Sequence, residues 1–345
     1  RVSQVREVRL DDLLRREPVR LDAGSVQGYL RGRRVLVTGA GGSIGSEICR
    51  QVAVQEPALL LLLDKGENAL FEIDKEVGER FPGVKRAALL VDIKHRHKLD
   101  EVFGRHRPEV VFNAAAYKHV PLMEGHTDEA VLNNVVGTRN LAEIAIAHGT
   151  AALVLISTDK AVNPSSIMGA LEQGGPITVT HPDMTRSFMT IPEAVQLVLR
   201  ATTLARGGEI FVLEMGEPVS IADMARDLVR LSGLEPGEDI DIVFTGLRPG
   251  ERLQEELWSG TEDVEPTVQD KLLVIRRPEA EGASLSRLLG HLSELEALAK
   301  AGEIRSLIQE LRRVVPEYQP ASPAFTPGRR GLPAPSPRPR TASTR

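Results

Sequence analysis

The sequence of 345 residues contains one cysteine, few aromatic side chains and no excess of positive charge. The single cysteine, Cys49, excludes an internal disulfide and any metal site built from clustered cysteines, and it favours a reducing compartment. A formal net charge of -5 argues against a general nucleic-acid binder, because affinity for phosphates depends on excess lysine and arginine. The remaining composition, 41% hydrophobic and 26% charged, is typical of a globular protein.

Long apolar runs are also absent. No segment approaches the roughly 20 apolar residues that span a bilayer, and the charged opening lacks the apolar core of a signal peptide. The chain begins at Arg1 rather than at methionine, so we expect a fragment of a longer protein. The expected location is the cytoplasm, or the cytoplasmic face of a membrane if an N-terminal membrane region is missing.

From Arg34 onwards, apolar strand patterns alternate with helical patterns. This alternation predicts a Rossmann-type, doubly wound parallel sheet, followed by a smaller C-terminal α/β portion that binds substrate. The predicted strands are 35–38, 59–63, 87–91, 110–113 and 152–157, and the helices between them are 43–55, 67–80, 95–106 and 127–148. The expected divisions are a lead-in over 1–33, a dinucleotide-binding domain over 34–170, a substrate-binding portion with C-terminal helices over 171–315, and a disordered tail over 316–345.

The strongest local motif is the glycine-rich turn in RVLVTGAGGSIGSEI, between the first predicted strand and helix. Gly39, Gly42 and Gly45 allow a tight turn, a close approach of the backbone to a pyrophosphate and close packing of helix on strand. Ser43 and Ile44 open the helix, whose unpaired amides and positive dipole end favour a phosphate. The loop therefore predicts a bound dinucleotide, NAD or NADP.

An acidic residue, Asp64, follows the second strand about 20 residues after the glycine loop. A carboxylate at this position accepts hydrogen bonds from the adenosine ribose, which favours NAD over NADP. The adjacent Lys65 offers a partner for a 2′-phosphate, so NADP stays open. The other predicted cofactor contacts follow the third and fourth strands, at the carboxyl edge of the sheet: Asp92, Ile93, Ala114, Ala115 and Ala116.

Longer motifs resemble those of one enzyme family. The TGxxGxxG form of the loop is typical of extended short-chain dehydrogenases/reductases. The segments AAAYKHVPLMEG, NNVVGT, STDKAVNPSSIMGA, THPDMTRSFMTIPEA and GLRPGERLQEEL together resemble nucleotide-sugar 4,6-dehydratases of bacterial polysaccharide and protein-glycan biosynthesis. The likeness runs from about residue 5 to about residue 275. The opening LDDLLRREPVRLD also resembles the segment that joins this domain to membrane helices in the long, membrane-anchored members.

The resemblance implies a UDP-N-acetylglucosamine 4,6-dehydratase, in some relatives also C5-epimerising, with tightly held NAD or NADP. In that family a hydride leaves C4 of the sugar, water is lost across C5 and C6, and the hydride returns to C6. By resemblance, Asp159 protonates the leaving hydroxyl, Lys160 takes the C5 proton, Thr158 orients the sugar and Met168 replaces the usual tyrosine. Four side chains are implied to contact the UDP-N-acetylhexosamine substrate: Lys118, His119, Arg186 and Arg248. A homo-oligomer is also implied.

The resemblance breaks off after Ala170, where roughly forty residues of the family pattern are missing. Glu172 stands where a lysine would hold the nicotinamide ribose. The missing helix and strand would cover the sheet, so we expect exposed apolar surface or a rearrangement there. Three functions stay open: an active dehydratase, a catalytically impaired nucleotide-binding descendant, and an NAD-dependent oxidoreductase that releases NADH.

Overall fold

Five parallel strands form the central sheet of the first half of the chain. The computed structural model describes residues 23–157, 177–231, 234–247, 253–254, 257–258, 262–276, 282–315 and 318. The strands are β1 (Arg34–Thr38), β2 (Leu59–Asp64), β3 (Arg86–Leu90), β4 (Val110–Asn113) and β5 (Ala152–Leu155). Their order in the sheet is β3-β2-β1-β4-β5, which confirms the predicted Rossmann fold.

Helices cover both faces of this sheet, because successive strand residues alternate between two apolar clusters. The helices of this half are α1 (Ala23–Leu30), α2 (Ser43–Val54), α3 (Glu67–Arg80), α4 (Arg96–His106), α5 (Val120–Glu124), α6 (Thr127–Ala130) and α7 (Thr138–Ala147). Val35 and Val37 of β1 are buried among α1, α2 and α3, together with Cys49. Leu36, on the opposite face, is buried among α4 and α7. Cys49 is therefore a core residue.

The predicted continuous helix over 127–148 was wrong in detail. Between α6 and α7 the chain forms a π-helical turn, Val131–Gly137, referred to below as the π segment. Asn133 and Asn134 lie in it, and asparagine side chains compete with the backbone for hydrogen bonds within helices. Gly137 ends the segment, and a Cβ there would lie 2.8 Å from Ile93 Cδ1, so this turn packs tightly against the loop after β3.

Beyond the sequence gap, the described residues form smaller sheets and four further helices. The elements are β6 (Ile177–Val179), β7 (Thr185–Arg186), α8 (Ile191–Leu204), β8 (Ile210–Leu213), β9 (Val219–Ser220), α9 (Ile221–Leu231), β10 (Ile242–Phe244), β11 (Asp263–Pro266), β12 (Leu272–Arg276), α10 (Gly282–Ala301) and α11 (Ile304–Val314). Strand β6 pairs with β10, β7 with β9, and β12 lies between β11 and β8. The smaller C-terminal α/β portion expected from the sequence is therefore present.

The C-terminal hairpin of α10 and α11 packs against the π segment. Leu295, Ala299 and Leu307 form one buried cluster with Val131, and Arg139 of α7 pairs with Glu296 of α10. Within the described part of the chain, no helix has the length and apolar character needed to cross a membrane. The lead-in before residue 23 and the predicted tail, apart from residue 318, lie outside the described residues.

Candidate nucleotide-binding site

The glycine-rich turn after β1 is shaped by close backbone contacts. Gly39 has a φ of +67°, a conformation that side chains other than glycine rarely adopt. A Cβ on Gly39 would lie 2.6 Å from the carbonyl oxygen of Ala114, and one on Gly45 would lie 1.9 Å from that of Gly39. The turn therefore requires glycine at both positions, and it brings the phosphate loop against the loop that follows β4.

Helix α2 starts directly after this turn, at Ser43. The cap residue Gly42 is extended and has no side chain to bond the first amides of the helix. Ser43, Ile44 and Gly45 form the first turn, where backbone N–H groups have no partner within the helix. These amides and the helix dipole favour an anion such as a pyrophosphate.

Asp64, at the end of β2, is half-buried beside the glycine turn. Its Oδ2 accepts a hydrogen bond from the amide of Gly41 at 2.9 Å, and its Oδ1 accepts one from Gly66 at 2.8 Å. Each carboxylate oxygen has a second lone pair, so the side chain keeps acceptor capacity for a ligand hydroxyl. The two amide contacts fix the orientation in which that capacity is presented.

The loop after β4 is held in place from both ends. Asn113 Oδ1 accepts hydrogen bonds from the Thr38 hydroxyl at 2.6 Å and from the Ala115 amide at 3.3 Å. These contacts join the ends of β1 and β4, the two strands between which the order of the sheet reverses. Ligands of open α/β sheets bind in the crevice at such a switch point.

The π segment fixes the other end of that loop. Asn134 Oδ1 accepts a hydrogen bond from the Tyr117 amide at 2.8 Å, and Asn134 Nδ2 donates to the Tyr117 carbonyl at 2.9 Å. Asn133 Nδ2 donates to the Ala115 carbonyl at 2.9 Å and to Asn134 Oδ1 at 2.9 Å. The side chain of Asn134 thus pairs with the backbone of Tyr117 as a neighbouring strand would.

These elements enclose a cleft of about 200 Å³, referred to below as the nucleotide cleft. The structure brings nine of the predicted cofactor residues together in its walls: Gly39, Gly42, Asp64, Lys65, Asp92, Ile93, Ala114, Ala115 and Ala116. Ser43, Ile44 and Gly45 lie beside it in the first turn of α2. Four wall residues were not predicted: Leu63, Val91, Tyr117 and Asn133.

A second cavity of about 220 Å³ adjoins the nucleotide cleft and shares Tyr117 with it. Its walls contain Lys118 and His119, two of the predicted substrate contacts, together with Leu122, Met123, His126 and Glu129. We call it the outer cavity.

Lys94 connects the two cavities through two ion pairs. The Lys94 ammonium lies 2.9 Å from Glu129 Oε2, in the wall of the outer cavity, and 3.8 Å from Asp92 Oδ2, in the wall of the nucleotide cleft. The hydrogen bond to Glu129 raises the pKa of Lys94 above its ordinary value. Lys94 is therefore a fixed positive charge between the two cavities at neutral pH.

Arg186 lines neither described cavity. It is buried at the end of β7, and its Nη1 donates to the carbonyls of Thr185 at 2.7 Å and Leu253 at 3.1 Å. Its predicted role as a substrate contact stays a prediction. The predicted residues Thr158, Asp159, Lys160, Met168 and Arg248, and the substituted Glu172, lie outside the described residues.

Comparison with known proteins identifies the family. A family model described as "Polysaccharide biosynthesis protein" matches residues 35–172 and 170–277. The chain belongs to this family. Its recognition as an extended short-chain dehydrogenase/reductase of the nucleotide-sugar dehydratase type is thereby confirmed. The two matched pieces meet at 170–172, where the sequence pattern breaks off.

Two curated relatives agree with this assignment. The chain is 42% identical to "Probable polysaccharide biosynthesis protein EpsC" of Bacillus subtilis, over 85% of this chain and 56% of the relative. It is 43% identical to "Capsular polysaccharide biosynthesis protein CapD" of Staphylococcus aureus, over 79% and 52%. The chain thus spans about half the length of these relatives. The Bacillus alignment has 336 positions but takes in only 85% of the 345 residues, so roughly forty positions have no residue here.

Solved structures show the same fold. The "X-ray structure of Pen from Bacillus thuringiensis" superposes with a TM-score of 0.63 at 25% identity, over 73% of this chain and 89% of that one. A dTDP-glucose 4,6-dehydratase of Streptomyces venezuelae, DesIV, solved with NAD bound, gives a TM-score of 0.55 at 18% identity, over 74% and 95%. The second likeness supports the fold alone.

Proposed function

We propose that this chain is an NAD-dependent UDP-N-acetylglucosamine 4,6-dehydratase of glycan biosynthesis. The observation that carries the proposal is the nucleotide cleft at the carboxyl edge of the parallel sheet, lined by the glycine turn, Asp64 and the alanines after β4. The family supports a role on nucleotide sugars. The proposal includes a UDP-N-acetylhexosamine substrate, a homo-oligomer, and a location in the cytoplasm or at the cytoplasmic face of a membrane.

The residues of the cleft fit a dinucleotide. A Cβ on Gly39 or Gly45 would clash with protein backbone, so glycine at these positions permits the tight turn by which a backbone approaches a pyrophosphate in this fold. Gly42 leaves the first amides of α2 without a side-chain cap. Asp64 is oriented by two amides and keeps lone pairs for ribose hydroxyls. The first two features support a dinucleotide, and Asp64 supports NAD in preference to NADP.

When bound, the nicotinamide supplies a hydride acceptor for C4 and a hydride donor for C6. The chain's own groups then have to bind the sugar and move protons. Lys118 and His119 line the outer cavity and are proposed to contact the substrate. By the family resemblance, Asp159 is proposed to protonate the leaving C6 hydroxyl and Lys160 to take the C5 proton. Both residues follow β5 in the sequence.

Mass spectrometry of UDP-N-acetylglucosamine incubated with the purified protein and NAD tests this function. A product lighter by one water is expected from the wild type and is expected to be lost in Asp159→Asn. The matched control, Asp263→Asn, alters an exposed carboxylate on β11 and should leave the product unchanged. Accumulation of NADH without loss of water would instead identify an oxidoreductase that releases its reduced cofactor.

A second candidate is a nucleotide-binding descendant that has lost turnover. The observations that favour it are the two-piece family match that meets at 170–172 and the presence of Glu172 in place of a lysine. This protein would bind NADH in a fluorescence titration but give no lighter product. Binding without product, in a folded sample, would decide for the descendant and against the active dehydratase.

A further inference from the structure

Lys65 and Tyr117 lie on opposite sides of the nucleotide cleft and contact each other across it. Lys65 follows β2, Tyr117 belongs to the loop after β4, and β1 with its glycine turn lies between these strands. The Lys65 ammonium is 4.0 Å from the centre of the Tyr117 ring, and it is hydrogen-bonded to the Tyr117 hydroxyl. We call this contact the Lys65–Tyr117 bridge.

Tyr117 is well placed to hold a cation because its own backbone is fixed. The two hydrogen bonds from Asn134 hold its amide and carbonyl at 2.8 and 2.9 Å. Lys65, in contrast, is exposed and has a long flexible side chain, which loses rotamer freedom in any fixed contact. The rigid partner in the bridge is therefore the tyrosine, and it determines where the ammonium lies.

The position of Lys65 gives the bridge a consequence for cofactor choice. The acid at the end of the second strand faces the adenosine ribose in this fold, and a cation beside it accommodates the 2′-phosphate of NADP. Lys65 is adjacent to Asp64 and is the cation at that place. While it is held on Tyr117, its ammonium is withheld from a 2′-phosphate, whose charge would then face the Asp64 carboxylate uncompensated.

We infer that Tyr117 is a specificity-determining residue that disfavours NADP by sequestering Lys65. This inference rests on the proposed function, since it presumes that the cleft binds a nicotinamide dinucleotide. A cation–π contact and one hydrogen bond at an exposed site together favour the bridged form by about tenfold. Only the fraction of molecules with an open bridge offers Lys65 to NADP, so the bridge weakens NADP binding by a similar factor.

Fluorescence titration of the purified full chain with NADH and with NADPH tests this inference. The ratio of the NADPH to the NADH dissociation constant is expected to fall about tenfold in Tyr117→Leu, which removes both contacts. Tyr117→Phe keeps the ring and removes the hydroxyl, so a fall of about threefold is expected. In the double variant Tyr117→Leu with Lys65→Met the ratio should return to the wild-type value or above it.

The outcomes separate this inference from the proposed function. If the wild type binds NADH but Tyr117→Leu leaves the ratio unchanged, the bridge does not control specificity. If the gain persists in the double variant, Lys65 is not the cation concerned and the inference fails as well. If the folded wild type binds neither dinucleotide, the proposed function itself is wrong.

Discussion

Because Asn134 pairs with the backbone of Tyr117, removal of the Asn134 side chain should lower both the stability of the fold and the affinity for the cofactor. Asn134→Ala deletes two hydrogen bonds to Tyr117 and one from Asn133. Each is worth about 1 kcal/mol net when buried, and less here because Asn134 is only half-buried. The gain in helix propensity from asparagine to alanine offsets about 0.6 kcal/mol. We therefore expect the free energy of unfolding to fall by about 1 kcal/mol.

Cofactor affinity should fall more clearly than stability, because the freed loop forms one wall of the nucleotide cleft. Ordering a loosened loop upon binding lowers the affinity for NADH by about tenfold. Urea unfolding followed by circular dichroism measures the first quantity, and NADH fluorescence titration the second. Asn68→Ala is the matched control, since Asn68 is an exposed asparagine of α3 and reports the propensity gain alone.

A third variant tests whether the hydrogen bond that Asn134 donates is needed. Asn134→Asp keeps the shape and the acceptor for the Tyr117 amide but places an oxygen against the Tyr117 carbonyl where an N–H had donated. It should be at least as destabilised as Asn134→Ala at neutral pH. If Asn134→Ala behaved like Asn68→Ala in both assays, or if Asn134→Asp matched the wild type, the π segment would not position this loop.

Three further predictions concern the surroundings of the cleft. Gly39→Ala would place an alanine at a positive φ with its Cβ against backbone, so NADH binding should be abolished. The control Gly83→Ala has no atom within 4 Å of the new Cβ and should keep NADH binding. Hydrogen bonds from Arg50 and Arg80 lower the pKa of Glu76 to about 2 in the folded protein. Because the folded pKa is the lower one, these contacts stabilise the fold by about 1 kcal/mol after solvent screening above about pH 4.5, and this stabilisation is lost as the pH falls towards 2. Glu76→Gln should therefore remove that part of the acid-induced loss of stability in thermal melts. Burial raises the pKa of the Cys49 thiol, so a thiol reagent should react at least about 100-fold more slowly with the native protein than in denaturant; an equal rate would contradict the buried position.

The sheet and most of the nucleotide cleft follow from local sequence patterns. The second strand, predicted at 59–63, is observed as Leu59–Asp64, because a run of five leucines fits a strand covered on both faces. The predicted cofactor residues meet because each follows a strand of one parallel sheet, so their positions along the chain fix their place at its carboxyl edge. This part of the site could be predicted without knowing any contact between segments that are distant in the sequence.

Contacts between distant segments could not be predicted in this way. Tyr117 was within a recognised motif, but its hydrogen bonds to Asn134 and its contact with Lys65 depend on how two loops and the π segment meet in space. The one available signal was the Asn133–Asn134 pair inside a helical pattern, since asparagine is a poor helix former. That signal indicates an interruption of the helix without saying which backbone the side chains bond.

The break in the family pattern after Ala170 separates the cofactor-binding part of the site from the part that would carry out the chemistry. Beyond the gap, helix α8 returns to the same sheet face as α2: Val195 and Leu199 are buried in that cluster, and Gln51 Nε2 donates to the Pro192 carbonyl at 2.9 Å. The core beneath the glycine turn is therefore closed without the missing residues, and we expect the nucleotide cleft to bind NADH. At the other edge, Leu155 ends β5 with half of its surface exposed, and the segment that would carry the catalytic chemistry follows directly after this strand. Cofactor binding and turnover should thus be separable in this chain. The affinity for NADH tests the cofactor-binding part before residue 170, and conversion of the sugar nucleotide tests the catalytic part, which the break at residue 170 interrupts.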